Sequence, residues 1–561
     1  MAYNWMPPPC PCAPRLARPL RLGAGGLRAC AAALLAASCL GLAPTGALAA
    51  DHALPPAVEQ ALQAAQLPPQ ALAAVVMPVA ALGPKGARPA AVWQVQADKP
   101  MQPASTMKLL TSIVALDRLG PNHRGFTELL TAAPQQGDVL AGDVVLRGAA
   151  DPELGLPQLW AMLAELRWQG IRELGGDIVI DRHLFRPARP DVGLPPFDEH
   201  PELGYNAVPD ALQLAGNLMG LELASTSGAV QARPLPPLPG VQLDASALRL
   251  TDKACKDWSD DWLSPRVVAA EGDTLNIALQ GGFPKGCTLR LNLQLIDRDA
   301  LAERHLRLAW QSLGGVWRGR LREASGPLVA PVAPTLPPAQ AVLQPTLNAL
   351  APGVAWGGTP GATPAGVRVL ARHLARPWGE VLRTMNKQSD NPLTRLLFLE
   401  LGLADMATDA NTPTAELARR AVLAWLRDQR INTDGVVLDN GSGLSRSERL
   451  SPRQLAQALQ AAYAGRWQAE LMMSVPVVAV DGTMRNRLKA SPAASWARMK
   501  TGTLRDVTAL AGWVPDAQGR LWVVVAMVNH EQAAAARPVL DALVDWVARG
   551  GLATHKASGR H

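Results

Sequence analysis

Three short motifs in this sequence place a hydroxyl group at a fixed spacing from an amine or an amide. The first is Ser105-Thr106-Met107-Lys108, the only S-x-x-K sequence in a chain that contains ten lysines. Residues three apart on a helix share one face, so the Lys108 amine can reach the Ser105 hydroxyl. The apolar residues that follow predict a buried helix, and burial lowers the pKa of a lysine toward the range in which it acts as a base. Taken alone, the motif also fits a helix-capping serine beside a solvated lysine.

The second motif, Ser389-Asp390-Asn391, is the only S-x-N sequence in the chain. It precedes Pro392 and an apolar run, which predicts a loop at the start of a helix. In a turn, the hydroxyl and the amide can face one site together, although these residue types also favour an ordinary capping turn. Asp390 is interpreted as structural.

The third motif is Lys500-Thr501-Gly502-Thr503, which contains the only K-T-G sequence. It precedes a β-prone run, which predicts a position on or beside an edge strand. There Lys500 supplies positive charge for a carboxylate, and glycine allows an extended peptide to approach the strand closely. A strand-end turn explains this motif alone, but three unique motifs in this order favour one shared site.

Two groups of elements must position these motifs. Around the first motif, the pattern predicts a strand pair (Ala71–Ala80, Ala91–Gln96) and a helix from Ser105 to Leu119. Around the other two, it predicts helices at 367–386, 392–402, 413–430, 452–464 and 536–548, and strands near 497–501, 507–514 and 521–528.

Between these groups, from about 130 to 325, short β-prone segments alternate with Pro and Gly turns. The predicted strands are Asp143–Leu146, Asp177–Ile180, Leu275–Ala278 and Thr288–Leu295. Residues 326–366 are rich in Pro, Ala and Gly and are interpreted as a linker or long loop. The order predicts one α/β domain interrupted by a large insertion.

Composition and charge exclude some classes of protein. The chain has 561 residues, of which 48% are hydrophobic and 18% charged, as in an ordinary multidomain globular protein. Without residues 1–50, which hold four arginines and no acid, 50 basic residues face 47 acidic ones. This near balance, with no long basic run, argues against a nucleic-acid partner. His200 and His373 show no triad pattern, which disfavours a Ser-His-Asp enzyme.

Residues 1–50 have the pattern of a secretory signal, with a basic stretch, the apolar run Ala29–Leu42 and the small-residue site Ala47-Leu48-Ala49. The alternatives are a membrane anchor, for which the run is too short, and a lipid anchor at Cys39. The mature chain then keeps two cysteines, Cys255 and Cys287, which suggests one disulfide in an exported protein or else two buried thiols.

The three motifs in this order resemble those of penicillin-binding proteins and serine β-lactamases. Five further segments resemble blocks of the class C low-molecular-mass penicillin-binding proteins, the D-alanyl-D-alanine carboxypeptidase/endopeptidase family. These segments are Gly142–Pro152, Gly175–Asp181, Tyr205–Ala207, Asp439–Arg446, with one residue more than the family's D-G-S-G-L-S-R, and Asp481–Arg487. The resemblance covers about residues 51–550.

The resemblance implies a fold and a domain plan. A transpeptidase-like α/β domain of the penicillin-binding-protein and β-lactamase type is split by a large β-rich insert of two subdomains. The expected segments are a signal peptide (1–50), the first part of the domain (51–125), the insert (126–325), the linker (326–366), the second part (367–553) and a tail (554–561). Cys255 and Cys287 would pair in the inner subdomain.

The resemblance also implies a mechanism in which Ser105 attacks the D-Ala-D-Ala bond of a peptidoglycan stem peptide and Lys108 takes the hydroxyl proton. Ser389 relays a proton, Asn391 orients the substrate, and Lys500 keeps the site positive and disfavours charge on Lys108. The substrate-binding residues are Thr501, Gly502 and Thr503, with Thr503 and Ser105 also offering backbone N–H groups to the oxyanion.

Two residues have weaker assignments. Arg446 either contacts an anionic group of the stem peptide or serves as a surface or ion-pairing arginine. Tyr205 is expected to line the same side of the substrate cleft as Arg446. The acids Asp198 and Glu199 are near it in the sequence, which does not show which of the two belongs to the site.

These assignments need no metal and no cofactor, and β-lactams are the expected covalent inhibitors. The expected location is the periplasm, with a loose membrane association and the oligomeric state left open. The balance between carboxypeptidase and endopeptidase activity is also left open. Two other functions remain, a serine β-lactamase and a non-catalytic peptidoglycan-binding protein on the same fold.

Overall fold

The computed structural model describes residues 52–79, 90–269, 274–328 and 366–553. The expected signal peptide with Cys39, residues 329–365 of the expected linker and the expected tail lie outside these ranges. Within them, no helix is both long enough and apolar enough to span a bilayer.

The described part of the chain contains ten α-helices. They are α1 (Pro56–Ala64), α2 (Met107–Arg118), α3 (Leu156–Trp168), α4 (Arg298–Ser312), α5 (Trp378–Gln388), α6 (Asn391–Glu400), α7 (Thr414–Asp428), α8 (Pro452–Ala464), α9 (Gln468–Ser474) and α10 (Arg537–Ala548). A one-turn 3₁₀ helix, Ala104–Thr106, leads directly into α2. Helices α6, α8 and α10 each carry a proline in the first turn, where no helical hydrogen bond is lost.

The strands form five sheets in the described residues. They are β1 (Leu72–Pro78), β2 (Trp93–Val95), β3 (Phe126–Thr131), β4 (Gln135–Gln136), β5 (Val139–Leu140), β6 (Val144–Ala149), β7 (Glu173–Leu174), β8 (Ile178–Asp181), β9 (Met219–Ser225), β10 (Val230–Pro234), β11 (Val241–Thr251), β12 (Trp262–Ala269), β13 (Leu275–Pro284), β14 (Thr288–Leu293), β15 (Val316–Trp317), β16 (Leu321–Glu323), β17 (Arg368–Leu374), β18 (Arg498–Leu504), β19 (Val507–Pro515) and β20 (Leu521–Asn529).

The sheet that carries the third motif is antiparallel, in the order β18-β19-β20-β1-β2. Its side chains alternate between two apolar cores. Val523, Val525 and Met527 pack on one face with α2, α5, α6 and α8, whereas Val524 and Val528 pack on the other face with α1 and α10. Because both faces are buried, the three inner strands, β1, β19 and β20, are apolar along most of their length. Strand β18 is left at the edge of the sheet, where Arg498 pairs with Val477 and the later part of the strand lies against the Ala104–Thr106 turn.

The insert has two apolar clusters, as two subdomains require. The first lies among the sheet β16-β8-β6-β3-β17, the small sheet β15-β7-β5-β4 and helices α3 and α4. The second lies among the three-stranded sheets β10-β9-β14 and β11-β13-β12. In the second, Cys255 and Cys287 form a disulfide with a Cα–Cα distance of 5.4 Å.

Most predicted elements are confirmed to within a few residues, but the predicted helix at 367–386 is wrong. Residues Arg368–Leu374 form β17, which pairs antiparallel with β3, and the helix begins only at Trp378. Pro377 explains the difference, because a proline inside a helix removes a backbone donor and clashes with the preceding turn. Helices α3 and α4 were not predicted, so the insert is less purely β than expected.

The pairing of β17 with β3 also bears on the domain plan. Because this strand completes a sheet of the insert, we place the return to the transpeptidase-like domain after Leu374 rather than at residue 367.

Candidate active site

The structure brings the Ser105 hydroxyl and the Lys108 amine together at the start of α2. Lys108 Nζ lies 3.0 Å from Ser105 Oγ and 2.6 Å from Asn391 Oδ1, and it also donates to the Ser442 carbonyl. The side chain of Lys108 is fully buried, since α2 is apolar on most sides as predicted. A neutral amine keeps one lone pair, which can accept the Ser105 proton while its N–H groups bind the other two oxygens.

Burial lowers the pKa of Lys108 to about 7, against an ordinary lysine pKa of 10.5. The charges of Glu448 and Asp390 oppose this shift, and the charge of Arg395 adds to it. A large fraction of Lys108 is therefore neutral near pH 7, as a general base requires. The charge of Arg395 lowers the pKa of Lys108, and the repulsion expected between Lys108 and Lys500 is present as a lowering of the pKa of Lys500.

The second and third motifs meet on the other side of the site. Ser389 ends α5 in the left-handed conformation (φ 61°), and its hydroxyl accepts a hydrogen bond of 2.8 Å from Lys500 Nζ. Asp390 caps α6 by accepting the N–H of Leu393 at 2.9 Å, which agrees with its structural interpretation. This tight turn from α5 to α6 points Ser389 and Asn391 into the same cleft.

Lys500 lies on β18 and is fully buried, with its amine also bonded to the Thr501 carbonyl at 2.8 Å. Burial, and then the charge of Lys108, hold the pKa of Lys500 well below its ordinary value. Both effects disfavour the positive charge that was expected at Lys500. A bound carboxylate would favour the protonated form.

Strand β18 lies directly against the turn that carries Ser105. A Cβ atom on Gly502 would be 3.0 Å from Ser105 N and 2.8 Å from Pro103 O, which is closer than ordinary van der Waals contact. Only glycine fits this contact, as the motif suggested. The Thr501 hydroxyl donates to the Thr483 hydroxyl at 2.8 Å, so the Asp481–Arg487 block contributes a hydroxyl beside the motif.

Arg446 contacts a residue of the insert, and Tyr205 is itself a residue of the insert that contacts Asn391. The Arg446 guanidinium lies 4.8 Å from the centre of the Phe197 ring and donates to the Phe197 carbonyl at 3.0 Å. The Tyr205 hydroxyl donates to Asp198 at 2.7 Å, and the Tyr205 carbonyl accepts the amide of Asn391 at 3.2 Å.

Asp198 and Glu199 differ clearly in the structure. Besides Tyr205, Asp198 accepts hydrogen bonds from Asn206 and from the N–H of His200, and these bonds lower its pKa against the effect of burial. Glu199 is exposed and pairs with Arg505, just beyond the third motif, at 2.9 Å. The segment from Phe197 to Tyr205 thus forms a wall of the cleft.

Sequence reasoning assigned no role to Arg395, Glu448 or Thr483. Glu448 and Thr483 lie in or beside blocks that the resemblance had marked, whereas Arg395 gave no signal beyond its position on α6. No group of three or more His, Cys, Asp or Glu side chains in the described ranges is arranged to hold a metal ion.

A serine–lysine pair, a second serine–lysine pair and an edge strand around one cleft define a serine acyltransferase or hydrolase of the penicillin-binding-protein fold. The family model of the D-Ala-D-Ala carboxypeptidase 3 (S13) family matches residues 57–333 and 338–550. The chain therefore belongs to this family and is a serine-type D-Ala-D-Ala carboxypeptidase.

Two relatives with carboxypeptidase names agree with this assignment. The chain is 26% identical to D-alanyl-D-alanine carboxypeptidase DacB of Haemophilus influenzae over 76% of its own length and 80% of the relative. It is 28% identical to the D-alanyl-D-alanine carboxypeptidase of Actinomadura sp. strain R39 over 76% of its own length and 73% of the relative.

Among solved structures, the chain resembles penicillin binding protein 4 (dacB) from Haemophilus influenzae. The TM-score is 0.66 at 23% identity, covering 88% of this chain and 99% of the other. That protein has also been solved in complex with a β-lactam, and this second structure matches with a TM-score of 0.63 at 22% identity. These likenesses support the fold.

Proposed function

We propose that this enzyme cleaves the D-Ala-D-Ala bond of peptidoglycan stem peptides, or the cross-link beside D-Ala, through an acyl-enzyme on Ser105. The observation that carries the proposal is the 3.0 Å contact between the Ser105 hydroxyl and a fully buried Lys108 whose pKa is about 7. A nucleophile beside a base of matched pKa is the arrangement that acyl transfer needs.

In the acylation step, Ser105 Oγ bonds to the scissile carbonyl carbon and its proton passes to Lys108 Nζ. The oxyanion that forms lies between the N–H groups of Ser105 and Thr503, for which the close approach of Gly502 to Ser105 is the structural support. The carbon–nitrogen bond then breaks, the leaving amine takes a proton from the Ser389 hydroxyl, and Ser389 recovers one from Lys500. The proton that Lys108 took from Ser105 passes to Lys500, so Lys108 is neutral again before deacylation.

In the deacylation step, water bonds to the carbonyl carbon of the ester and gives its proton to Lys108. The ester bond breaks, and Ser105 Oγ recovers a proton from Lys108. Asn391 supports both steps, because its carbonyl holds the Lys108 amine while its amide is fixed by the Tyr205 carbonyl.

The third motif sets the direction of the substrate. The terminal carboxylate binds near Lys500, Thr501 and Thr503, where its charge favours protonated Lys500. The stem peptide then extends along the free edge of β18 in the other direction, past Leu504, toward the wall formed by Phe197–Tyr205.

The location proposed is the periplasm, reached through the signal pattern of residues 1–50. The complex of the Haemophilus influenzae protein with a β-lactam supports the further proposal that β-lactams acylate Ser105 in this chain.

The test is the release of D-alanine from a stem pentapeptide ending in D-Ala-D-Ala, followed beside cleavage of a cross-linked dimer. The wild-type chain should release product from at least one of the two, and Ser105→Ala should lose at least about 10³-fold of the rate. Wild-type protein that cleaves neither substrate would favour the non-catalytic binding protein. Destruction of penicillin at high turnover would favour the β-lactamase.

A further inference from the structure

Glu448 is a fully buried carboxylate beside the active site that none of the three motifs contains. One of its oxygens, Oε1, accepts three consecutive backbone N–H groups, from Asp439 at 3.3 Å, Asn440 at 3.1 Å and Gly441 at 2.8 Å. Consecutive N–H groups that converge on one oxygen form an anion-binding nest. Glu448 therefore holds the backbone of residues 439–441 in one conformation.

The residue after this nest is bonded to the base. The Ser442 carbonyl accepts a hydrogen bond from Lys108 Nζ, so the position of the nest fixes one of the three oxygens around the amine. The Gly441 carbonyl is in turn held by the Thr111 hydroxyl of α2 at 2.7 Å. The loop is thus fastened between Glu448 on one side and the helix that carries Lys108 on the other.

The second oxygen of Glu448 is unusual for a purely structural carboxylate. Oε2 is buried and has no hydrogen-bond partner among the described residues. A buried polar atom without a partner is costly, so an amide or an apolar side chain would fill this place at less cost if only packing mattered. Burial accordingly raises the pKa of Glu448, and the nest acts against that shift.

The negative charge of Glu448 raises the pKa of Lys108, and other charged groups around the amine also shift this pKa. Of these, Glu448 is the strongest charged influence, followed by Asp390 at the start of α6 and by Arg395 further along that helix. Lys500 faces the amine from β18. The negative charge of Asp439 acts in turn on Glu448 and raises the pKa of its carboxyl group.

We propose that Glu448 is a positioning residue for the catalytic base. Its buried carboxylate fixes the 439–442 loop so that the Ser442 carbonyl binds the Lys108 amine, and its negative charge favours the protonated form of that amine. This proposal rests on the proposed role of Lys108 as the base that activates Ser105.

The test compares wild type, Glu448→Gln and Thr111→Val by the rate at which a fluorescent penicillin acylates the full chain between pH 5 and pH 9. Glutamine keeps an oxygen that can accept the nest N–H groups but removes the charge. Thr111→Val is the matched control, because it removes an uncharged hydrogen bond to the same loop.

For Glu448→Gln we expect the acid limb of the pH–rate profile to move to lower pH by about one unit, because a lost negative charge lowers the pKa of Lys108. Thr111→Val should slow acylation or lower the melting temperature with the limb unmoved. An unmoved limb in folded Glu448→Gln, or an equal shift in both variants, would overturn the proposal.

Two further variants separate a failure of this proposal from a failure of the proposed function. If Glu448→Gln does not fold, Glu448→Asp withdraws the carboxylate by one methylene. It should acylate at least tenfold more slowly at its best pH, and a rate within twofold of wild type would overturn the proposal. Acylation that persists in Ser105→Ala would instead refute the proposed function, whatever Glu448 does.

Discussion

The contact between Gly502 and the Ser105 turn makes Gly502→Ala the most informative single substitution in the site. The added Cβ would lie 2.8 Å from Pro103 O and 3.0 Å from Ser105 N, whereas ordinary contacts begin near 3.4 Å. The two nearest atoms belong to the backbone and the third is Ala104 Cβ, which moves only with the backbone, so either β18 or the Ala104–Thr106 turn has to move. Either movement widens the gap between the N–H groups of Ser105 and Thr503.

The size of the effect follows from these distances. Restoring ordinary contact requires a displacement of about 0.5 Å or more, and overpacking of this kind costs about 1–3 kcal/mol of stability. Because misplacing reacting groups by an ångström, or losing one oxyanion donor, costs on the order of 10²-fold in rate, we expect acylation to slow about 10²-fold. The chain should still fold, since β18 is an edge strand.

The assay is the acylation rate with a fluorescent penicillin, measured beside the melting temperature. Gly228→Ala is the matched control, because a Cβ there meets no atom within 4 Å and its backbone is not in the left-handed region. The control should match wild type in both measurements. An acylation rate of Gly502→Ala within threefold of wild type would refute the close approach of β18 to Ser105.

Two other predictions concern the base and the disulfide. Because the pKa of Lys108 is about 7, the acylation rate should rise about fivefold from pH 6 to pH 7 and level off above pH 8. A rate that still rises tenfold per pH unit between pH 8 and pH 10 would show an ordinary lysine. Replacing Cys255 and Cys287 by serine opens a link between residues 32 apart and should cost about 3–4 kcal/mol of stability in denaturant unfolding. Acylation by penicillin should be unchanged, because the disulfide lies in the insert, and a stability equal to wild type would contradict the prediction.

Much of the site was predictable because its parts are local in sequence. The S-x-x-K motif needs only one turn of helix to bring Lys108 to Ser105, and Pro392 marks the start of α6 beside Ser389. The position of Lys500 on an edge strand was predicted from the apolar β-prone runs that follow it. The sheet does end at β18, the strand that carries Lys500. Each of these inferences used residues that lie close to one another in the chain.

The features that the sequence did not predict depend on contacts between residues far apart in the chain. Arg395 acts on Lys108 only because α6 packs beside α2, and no pattern in α6 indicates it. Strand β17 was taken for a helix because its partner, β3, lies more than 200 residues earlier. Long-range pairing of this kind overrides local propensity.

The central claim is that Ser105 is the nucleophile of a peptidase whose acyl-enzyme with penicillin is slow to hydrolyse. The most direct measurement is the intact mass of the mature chain after incubation with penicillin, with the adduct located by peptide mapping. We predict a lasting adduct of one penicillin on Ser105 that is absent from Ser105→Ala. An unmodified chain with the drug intact, or an adduct that persists in Ser105→Ala, would contradict the account.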